Sequence, residues 1–167
     1  PGDFNPALIH IFRQDADVIM IGEMRGEDTS STAVTAAETG HLVLSTLHTN
    51  SAAQTIDRII DIFPGDQQDQ IRQQLASSLL GVLSQRLLPS ISGGLVPAFE
   101  LLINTNAVAN LIRERRTHEI DVLIETGSQE GMIDLDRYLA ELVRTGQVAR
   151  DVAYSFARRK GLFERLI

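Results

Sequence analysis

The sequence predicts an α/β fold that is followed by a small all-helical subdomain. Two short apolar runs, residues 18–21 and 42–47, have the length and aliphatic content of buried strands. A segment with helix caps and a terminal glycine separates them, and both strands are expected to end at the same edge of a sheet. From residue 105 onward the pattern is helical throughout. We therefore assign residues 1–104 to the α/β part and residues 105–167 to the helical subdomain.

Caps, stops and apolar spacing predict the elements of the first part. Polar residues cap helices at their start, and glycine or proline ends them. In order, these signals predict a helix at about 6–14, a strand at 18–21, a helix at about 28–39, a strand at 42–47, a helix at 51–63 and a helix at 66–87. The last helix carries an apolar stripe at helical spacing, made of Ile71, Leu75, Leu79, Val82 and Leu83.

A glycine pair and four helical segments complete the prediction. Gly93 and Gly94 indicate a tight turn between residues 87–92 and a strand at 95–103. Helices are then expected at 107–115, at 119–126, at 135–144 and from about 151 onward. The last of these would carry Arg158, Arg159 and Lys160 close to its C-terminus, where cations suit the helix dipole.

The composition excludes several classes of protein. A net charge of −7 argues against generic nucleic-acid binding, which calls for a basic surface. The absence of cysteine removes disulfides and cysteine-based zinc sites, and we predict no metal site among these residues. No apolar run approaches the ~18 residues of a membrane span, and the layout of a signal peptide is missing. These features predict a soluble, cytoplasmic protein.

Lysine is almost missing, and this bears directly on nucleotide binding. Lys160 is the single lysine among fifteen basic residues, and it sits in the sequence ARRKG with no glycine loop before it. A P-loop, the Walker A motif, needs glycines followed by lysine and Ser or Thr to hold the β- and γ-phosphates. The chain contains no Walker A motif and cannot hold a nucleotide in the P-loop manner.

Functional side chains follow both predicted strands of the first part. Glu23 and Arg25 come directly after residues 18–21, and His48 follows residues 42–47. Ligands of open α/β sheets bind outside the carboxyl ends of the strands, and a carboxylate there can orient a water or accept a proton. Each residue alone could be an ordinary polar group where a strand meets solvent. Two strands that both end in such residues favour a nucleotide or phosphate site.

Two long segments resemble a known family. Residues 16–25, ADVIMIGEMR, are similar to the Walker B segment of type II and type IV secretion ATPases. Residues 35–52, TAAETGHLVLSTLHTNSA, resemble their histidine box. Further strings at 110–114 and 131–136 extend the similarity over essentially the whole chain, and they point to the PilT-like branch, the type IV pilus retraction motors.

The resemblance implies that this chain is the C-terminal part of a RecA-like P-loop NTPase domain. The family works as ring-shaped hexamers on the cytoplasmic side of an inner membrane, peripheral to it and beside an inner-membrane pilus platform protein. ATP and Mg²⁺ are the implied ligands of the parent protein. The P-loop would precede residue 1, so we expect the isolated chain to bind neither ATP nor Mg²⁺ and to be inactive as an ATPase.

Two positions depart from the pattern of the retraction motors. Ala109 stands where their AIRNLIR signature has its first arginine, and Gly26 replaces the acidic residue that ends their GEMRD string. The resemblance thus leaves type IV pilus retraction and secretion both open as the work that hydrolysis drives. Two other functions also remain: a RecA-like ATPase acting on nucleic acid, which the acidic balance disfavours, and a non-catalytic interaction module descended from a motor.

The resemblance also implies roles for single residues. Glu23 would be the catalytic carboxylate that orients the attacking water. A purely structural glutamate would want a cation nearby, and Arg25 could supply one. His48 is placed to contact the γ-phosphate by a hydrogen bond. Thr46 shares a sheet face with His48 and could bind water there, although strands carry threonine for ordinary reasons.

The remaining candidates have weaker support. Six strand residues lie between His41 and His48 and keep them at least ~20 Å apart, so both cannot touch one phosphate within a subunit. His41 is expected to pack structurally or to face an adjacent subunit, although the family's nucleotide-binding pattern includes it. Arg25 and Arg58 are candidates for phosphate or subunit contacts, or for surface ion pairs. We expect His10 and His118 to be plain surface residues.

Overall fold

A computed structural model describes residues 16–167 and divides them into two compact units. Unit 1 contains the described residues up to Leu80 together with Asn104–Ile120, and unit 2 contains Gly81–Ile103 and Asp121–Ile167. The predicted helix at 6–14 and His10 lie outside the described residues. The predicted boundary after residue 104 does not coincide with this division, because a β-hairpin joins the C-terminal helices in unit 2.

Unit 1 is built on a strand–helix–strand unit. Strand β1 (Val18–Ile21) pairs in parallel with β2 (Leu42–Ser45), with Val18 opposite Leu42 and Ile21 opposite Ser45. Helix α1 (Glu27–Glu38) connects them, and its alanines pack on the buried side chains of β1. The prediction that both strands end at the same edge is confirmed, although β2 is two residues shorter than expected.

Three further α-helices lie in the part of unit 1 that the structure describes. Helix α2 (Ala52–Asp61) starts at Ser51, whose hydroxyl accepts a hydrogen bond from the Gln54 N–H. Its buried face holds Ile56, Ile59 and Ile60, with Phe63 after its end. The other two helices are α3 (Gln68–Ser78) and α4 (Asn106–Arg113).

The predicted helix at 66–87 is wrong beyond Ser78. Leu79 already has extended backbone angles, and residues Gly81–Pro89 form strand β3, which pairs antiparallel with β4 (Leu95–Ile103) over nine residue pairs. Along β3 the side chains alternate in exposure with a period of two, which fits a strand. The distant partner strand overrides the local helical spacing of the apolar residues.

Glycines sit at both ends of the hairpin. A Cβ on Gly81 would lie 2.7 Å from the carbonyl oxygen of Leu102, so only glycine allows this approach of the two strands. At the other end, Gly93 and Gly94 have φ angles of +91° and +78°, which confirms the predicted turn. The predicted strand at 95–103 is also confirmed.

Unit 2 packs the hairpin against its C-terminal helices. These helices are α5 (Ile120–Thr126, whose first residue belongs to unit 1), α6 (Leu135–Arg144), α7 (Arg150–Phe156) and α8 (Lys160–Leu166). Leu88 of β3 and Ala98 of β4 lie in one buried cluster with Leu139 of α6 and Phe163 of α8. Ile133, between the helices predicted at 119–126 and 135–144, exchanges two backbone hydrogen bonds with Leu101 of β4 (2.9 and 3.0 Å).

The single helix predicted from about 151 onward is wrong. Two helices, α7 and α8, occupy this region, and Arg158 and Arg159 lie between them. Their backbone N–H groups donate to the two carboxylate oxygens of Asp136 (2.8 and 3.0 Å) instead of continuing the helix. A buried carboxylate thus breaks the helix, and residues far away in the sequence determine the break.

None of the helices within residues 16–167 has the length and apolar content that a membrane span requires.

Candidate active site

The carboxyl ends of β1 and β2 are joined by two hydrogen bonds. The Thr46 hydroxyl donates to the carbonyl of Gly22, and the N–H of Met24 donates to the carbonyl of Thr46 (3.3 Å). Glu23 lies between these two contacts. Its backbone is therefore held against the chain that follows β2, while its side chain is free to project from the sheet edge.

Three charged or titratable side chains meet at this edge. One carboxylate oxygen of Glu23 lies 2.7 Å from Nη2 of Arg25, and the other lies 3.4 Å from Nε2 of His48. The Glu23 side chain is 25% exposed, whereas those of Arg25 and His48 are 80% and 86% exposed. The structure thus brings together three of the predicted site residues. We call this group the carboxylate clasp.

The clasp keeps Glu23 ionised. The hydrogen bond from Arg25 lowers the pKa of the Glu23 carboxyl, partial burial opposes this, and the charges of Arg25 and His48 lower the pKa further. The same pairing raises the pKa of Arg25. An anionic carboxylate at the end of a strand can accept a hydrogen bond from water and orient it for attack on an electrophile.

The other two predicted ligands of the nucleotide lie differently. Thr46 is at the clasp, but its hydroxyl is engaged with the Gly22 carbonyl. His41 lies at the opposite end of β2, where its Nδ1 is 3.1 Å from both the Ala36 carbonyl and the Thr39 hydroxyl. His41 therefore closes the end of helix α1 and does not approach Glu23.

The weaker candidates are dispersed. Arg58 is exposed on helix α2. His118 is exposed too, and its Nε2 lies 3.6 Å from a carboxylate oxygen of Glu119. Neither residue adds a chemical group to the site at the sheet edge.

Sequence reasoning missed a second charged cluster, which lies in unit 2. The Arg159 guanidinium contacts three carboxylates, those of Glu125, Asp134 and Asp136, and the Arg158 guanidinium contacts those of Glu100 and Asp121. We call these seven residues the buried network. Glu100, in an otherwise apolar strand, was the one local signal that a buried partner is needed.

The clasp fits one side of a nucleoside triphosphate site. It offers an anionic carboxylate for a water, with an arginine and a histidine beside it for phosphate oxygens. The sequence contains no glycine-rich loop followed by lysine, and Lys160 lies in unit 2. The residues present thus suit the hydrolytic side of such a site, and the phosphate cradle would have to come from other residues.

Comparison with known proteins agrees with this interpretation. The type II/IV secretion system protein family matches residues 2–133. The chain is 46% identical to the type IV pilus retraction ATPase PilT of Pseudomonas aeruginosa over 155 residues, which is 93% of the chain and 45% of that protein. It is 47% identical to a twitching motility protein of Neisseria gonorrhoeae, over 90% of the chain and 40% of that protein.

The fold comparison gives the same result. A crystal structure of the pilus retraction motor PilT with bound ADP superposes with a TM-score of 0.87 at 44% identity, over 98% of this chain and 46% of that one. This confirms the predicted α/β fold with a helical part. The chain spans less than half the length of these relatives. On the family match and on these identities, the chain belongs to the type II/IV secretion system protein family.

Proposed function

We propose that this chain is the C-terminal portion of a hexameric motor ATPase that couples ATP hydrolysis to type IV pilus retraction, the basis of twitching motility, or to secretion. The observation that carries the proposal is the position of the Glu23 carboxylate, held at the ends of two parallel strands beside Arg25 and His48. The names of the relatives, a pilus retraction ATPase and a twitching motility protein, favour pilus retraction over secretion.

In the proposed reaction, Glu23 orients a water for in-line attack on the γ-phosphorus of ATP. The bond from the γ-phosphorus to the bridging oxygen breaks, and ADP and inorganic phosphate leave. Glu23 accepts a hydrogen bond from the attacking water, and His48 donates one to an oxygen of the γ-phosphate. Mg²⁺, when bound with the nucleotide, neutralises charge on the phosphates. No residue of this chain is proposed as its ligand.

The isolated chain is proposed to be inactive. Tight binding of ATP depends on backbone amides and a lysine around the phosphates, and the sequence has no such loop. Glu23 acts on the water and adds little to binding. Catalysis would therefore require the phosphate-binding half of the parent protein, and neither ATP nor Mg²⁺ is expected on the 167-residue chain alone.

The proposed assembly is a homo-hexamer on the cytoplasmic face of the inner membrane, peripheral to it. An inner-membrane pilus platform protein is its proposed partner, because a retraction motor has to act on the base of a pilus. Thr46, His41 and Arg25 remain proposed contacts of the nucleotide, in the same or a neighbouring subunit. Nucleic acid is not proposed as a partner, because the net charge of −7 would repel it.

One observation favours a second function, that of a non-catalytic interaction module. The 2.7 Å ion pair between Arg25 and Glu23 is the contact that a purely structural glutamate would make. In that case Glu23 would hold the segment after β1 in place and would not act on water. The two functions make opposite predictions for a single substitution.

The deciding variant is Glu23→Gln in the full-length protein. Loss of one positioned catalytic group is expected to lower phosphate release at least ~10²-fold while ATP binding persists, because binding resides in the phosphate loop. Phosphate release at saturating ATP and calorimetric binding of ATP measure the two effects separately. Glu27→Gln, which changes an exposed glutamate in the first turn of α1, is the matched control and should leave both unchanged.

Two outcomes would contradict the proposal. Turnover of Glu23→Gln at the rate of the unmodified protein would assign Glu23 a structural role and favour the interaction module. Turnover by the 167-residue chain alone, abolished by Glu23→Gln, would reveal a phosphate site that needs no P-loop.

A further inference from the structure

We propose that Arg25 is a positioning residue that restrains the Glu23 carboxylate before nucleotide binds and releases it when nucleotide phosphates arrive. This inference rests on the proposed function and adds a mode of regulation to the same site. It makes the carboxylate clasp a device with two states. In the closed state both oxygens of Glu23 are engaged by side chains of this chain, and in the open state they can engage a water.

The closed state is the one that the structure shows. Arg25 Nη2 holds one oxygen of Glu23 at 2.7 Å, and His48 Nε2 lies 3.4 Å from the other. Each oxygen keeps a second lone pair, but the guanidinium and the imidazole occupy the directions beside Arg25 and His48, so a water oriented there has to compete with them. Glu23 in this state is ionised but already engaged.

The two sides of the ion pair differ in how firmly they are held. The backbone contacts on either side of Glu23 fix it to the chain after β2, through the Gly22 carbonyl and the Met24 N–H. Arg25 follows the last of these contacts, and its side chain is 80% exposed. The guanidinium can therefore move on rotation of its own side chain while Glu23 stays in place.

A triphosphate is the competitor that would open the clasp. An exposed arginine–carboxylate pair is weak, because water and salt screen it. Phosphate oxygens carry more negative charge than one carboxylate and accept the planar guanidinium in the same two-pronged geometry. Nucleotide bound at the strand ends would draw Arg25 away and leave Glu23 free at the moment a water has to be oriented.

Arg25 and His48 are the charged side chains that lower the pKa of Glu23 within the described residues. Removing Arg25 should therefore raise the pKa of Glu23 in the nucleotide-free protein. It should have no such effect once nucleotide has already opened the clasp. If Arg25 were a permanent structural contact, its removal would raise the pKa of Glu23 both with and without nucleotide.

The first test measures the Glu23 carboxyl in the 167-residue chain by ¹³C NMR across a pH series. Arg25→Gln is expected to move the titration of Glu23 to higher pH. Arg25→Lys keeps the positive charge, so its upward shift should be smaller. Arg144→Gln breaks an exposed ion pair with Glu141 on helix α6 and is the control expected to leave the Glu23 titration unchanged. A Glu23 titration that Arg25→Gln leaves unmoved would overturn the closed state.

The second test uses the pH dependence of ATP hydrolysis by the full-length protein. The acid limb of kcat/KM reports the pKa of the essential base in the free enzyme, and the acid limb of kcat reports its pKa in the nucleotide complex. Arg25→Gln should shift the acid limb of kcat/KM to higher pH and leave that of kcat in place. Equal shifts of both limbs would mean that Arg25 stays on Glu23 after nucleotide binds, which overturns release.

Failure of the proposed function gives a different pattern. The proposed ATPase mechanism is wrong if the full-length protein releases no phosphate, or if Glu23→Gln hydrolyses ATP normally. The NMR titration still decides in that case whether Arg25 restrains Glu23. If hydrolysis depends on Glu23 but neither the NMR titration nor the acid limbs respond to Arg25, only the clasp is wrong.

Discussion

The carboxylate clasp of unit 1 and the buried network of unit 2 use the same chemical groups in opposite surroundings. In the clasp, the arginine and histidine are more than three-quarters exposed around a glutamate that is 25% exposed. In the network, the side chains of Glu100, Asp134 and Asp136 are only 1%, 2% and 1% exposed. Burial makes ion pairs indispensable once formed, whereas exposure leaves them free to exchange partners.

The difference assigns structural and chemical roles to the two clusters. A carboxylate that has lost its water must keep its cation, so the network resists rearrangement and holds the helices of unit 2 together. Asp136 illustrates this, because it accepts hydrogen bonds from two backbone N–H groups and from Nε of Arg159. A carboxylate that keeps part of its water can exchange an arginine for a substrate, as chemistry at the clasp would require.

The largest expected effect comes from Arg159→Ala. The substitution leaves the buried carboxylates of Asp134 and Asp136 without their shared guanidinium, and it should destabilise unit 2 by about 3 kcal/mol. Both tyrosines, Tyr138 and Tyr154, lie in unit 2 and the chain has no tryptophan, so tyrosine fluorescence during urea unfolding reports this unit alone.

Arg144→Ala is the control for that experiment. It breaks an exposed pair with Glu141 and should cost about 0.5 kcal/mol or less. If Arg159→Ala proved as mild as Arg144→Ala, the network would contribute no more than a surface ion pair. The contrast between the two clusters would then fail.

Asp136→Asn should have the next largest effect. The amide keeps one acceptor but presents an NH₂ group where the backbone N–H and Nε of Arg159 now donate, so charge-assisted hydrogen bonds are lost at a cost of about 2 kcal/mol. The tyrosine-detected midpoint of urea unfolding should fall accordingly. Asp151→Asn, at the exposed start of α7, is the control and should cost about 0.5 kcal/mol. Equal urea midpoints for Asp136→Asn and Asp151→Asn would show that Asp136 is no more important to stability than an exposed aspartate.

The contrast also explains which parts of the molecule the sequence could predict. The strands before Glu23 and His48, the glycine turn and helix α2 rest on neighbours in sequence, and all were predicted. The clasp follows from parallel strands that end at one edge, so Glu23, Arg25 and His48 could be grouped in advance. Their roles in catalysis stay predictions.

The errors share one physical cause, which is a partner distant in sequence. Residues 81–87 have helical apolar spacing, yet they form a strand because they pair with residues 97–103 of β4, which lie 10 to 22 residues further along the chain. The helix from 151 is interrupted because Asp136, more than twenty residues earlier, binds the N–H groups of Arg158 and Arg159. Local propensity cannot register contacts of this kind, and the buried network escaped detection for the same reason.

Asp121 at the rim of the network should show the smallest effect, and one of opposite sign. Burial raises the pKa of Asp121; Arg159 opposes the rise, and the charges of Asp134 and Asp136 add to it. A carboxyl group whose pKa is higher in the folded than in the unfolded protein is a folded-state cost when ionised. This cost is present above the folded pKa and disappears as the pH falls below the unfolded one.

Asp121→Asn should therefore stabilise unit 2 slightly near neutral pH, by about 0.5 kcal/mol or less because the side chain is about half exposed and lies near Arg158. The gain should shrink as the pH approaches the ordinary range of aspartate, about 4, where the native residue becomes protonated and loses its cost. Tyrosine-detected urea unfolding of Asp121→Asn and of the unmodified protein, at neutral pH and at about pH 4, measures the difference in stability. If Asp121→Asn instead lowered the stability of unit 2 at neutral pH, the 3.6 Å contact between Asp121 and Arg158 would outweigh the cost of burial. Asp121 would then need its arginine partner as the buried carboxylates of the network do.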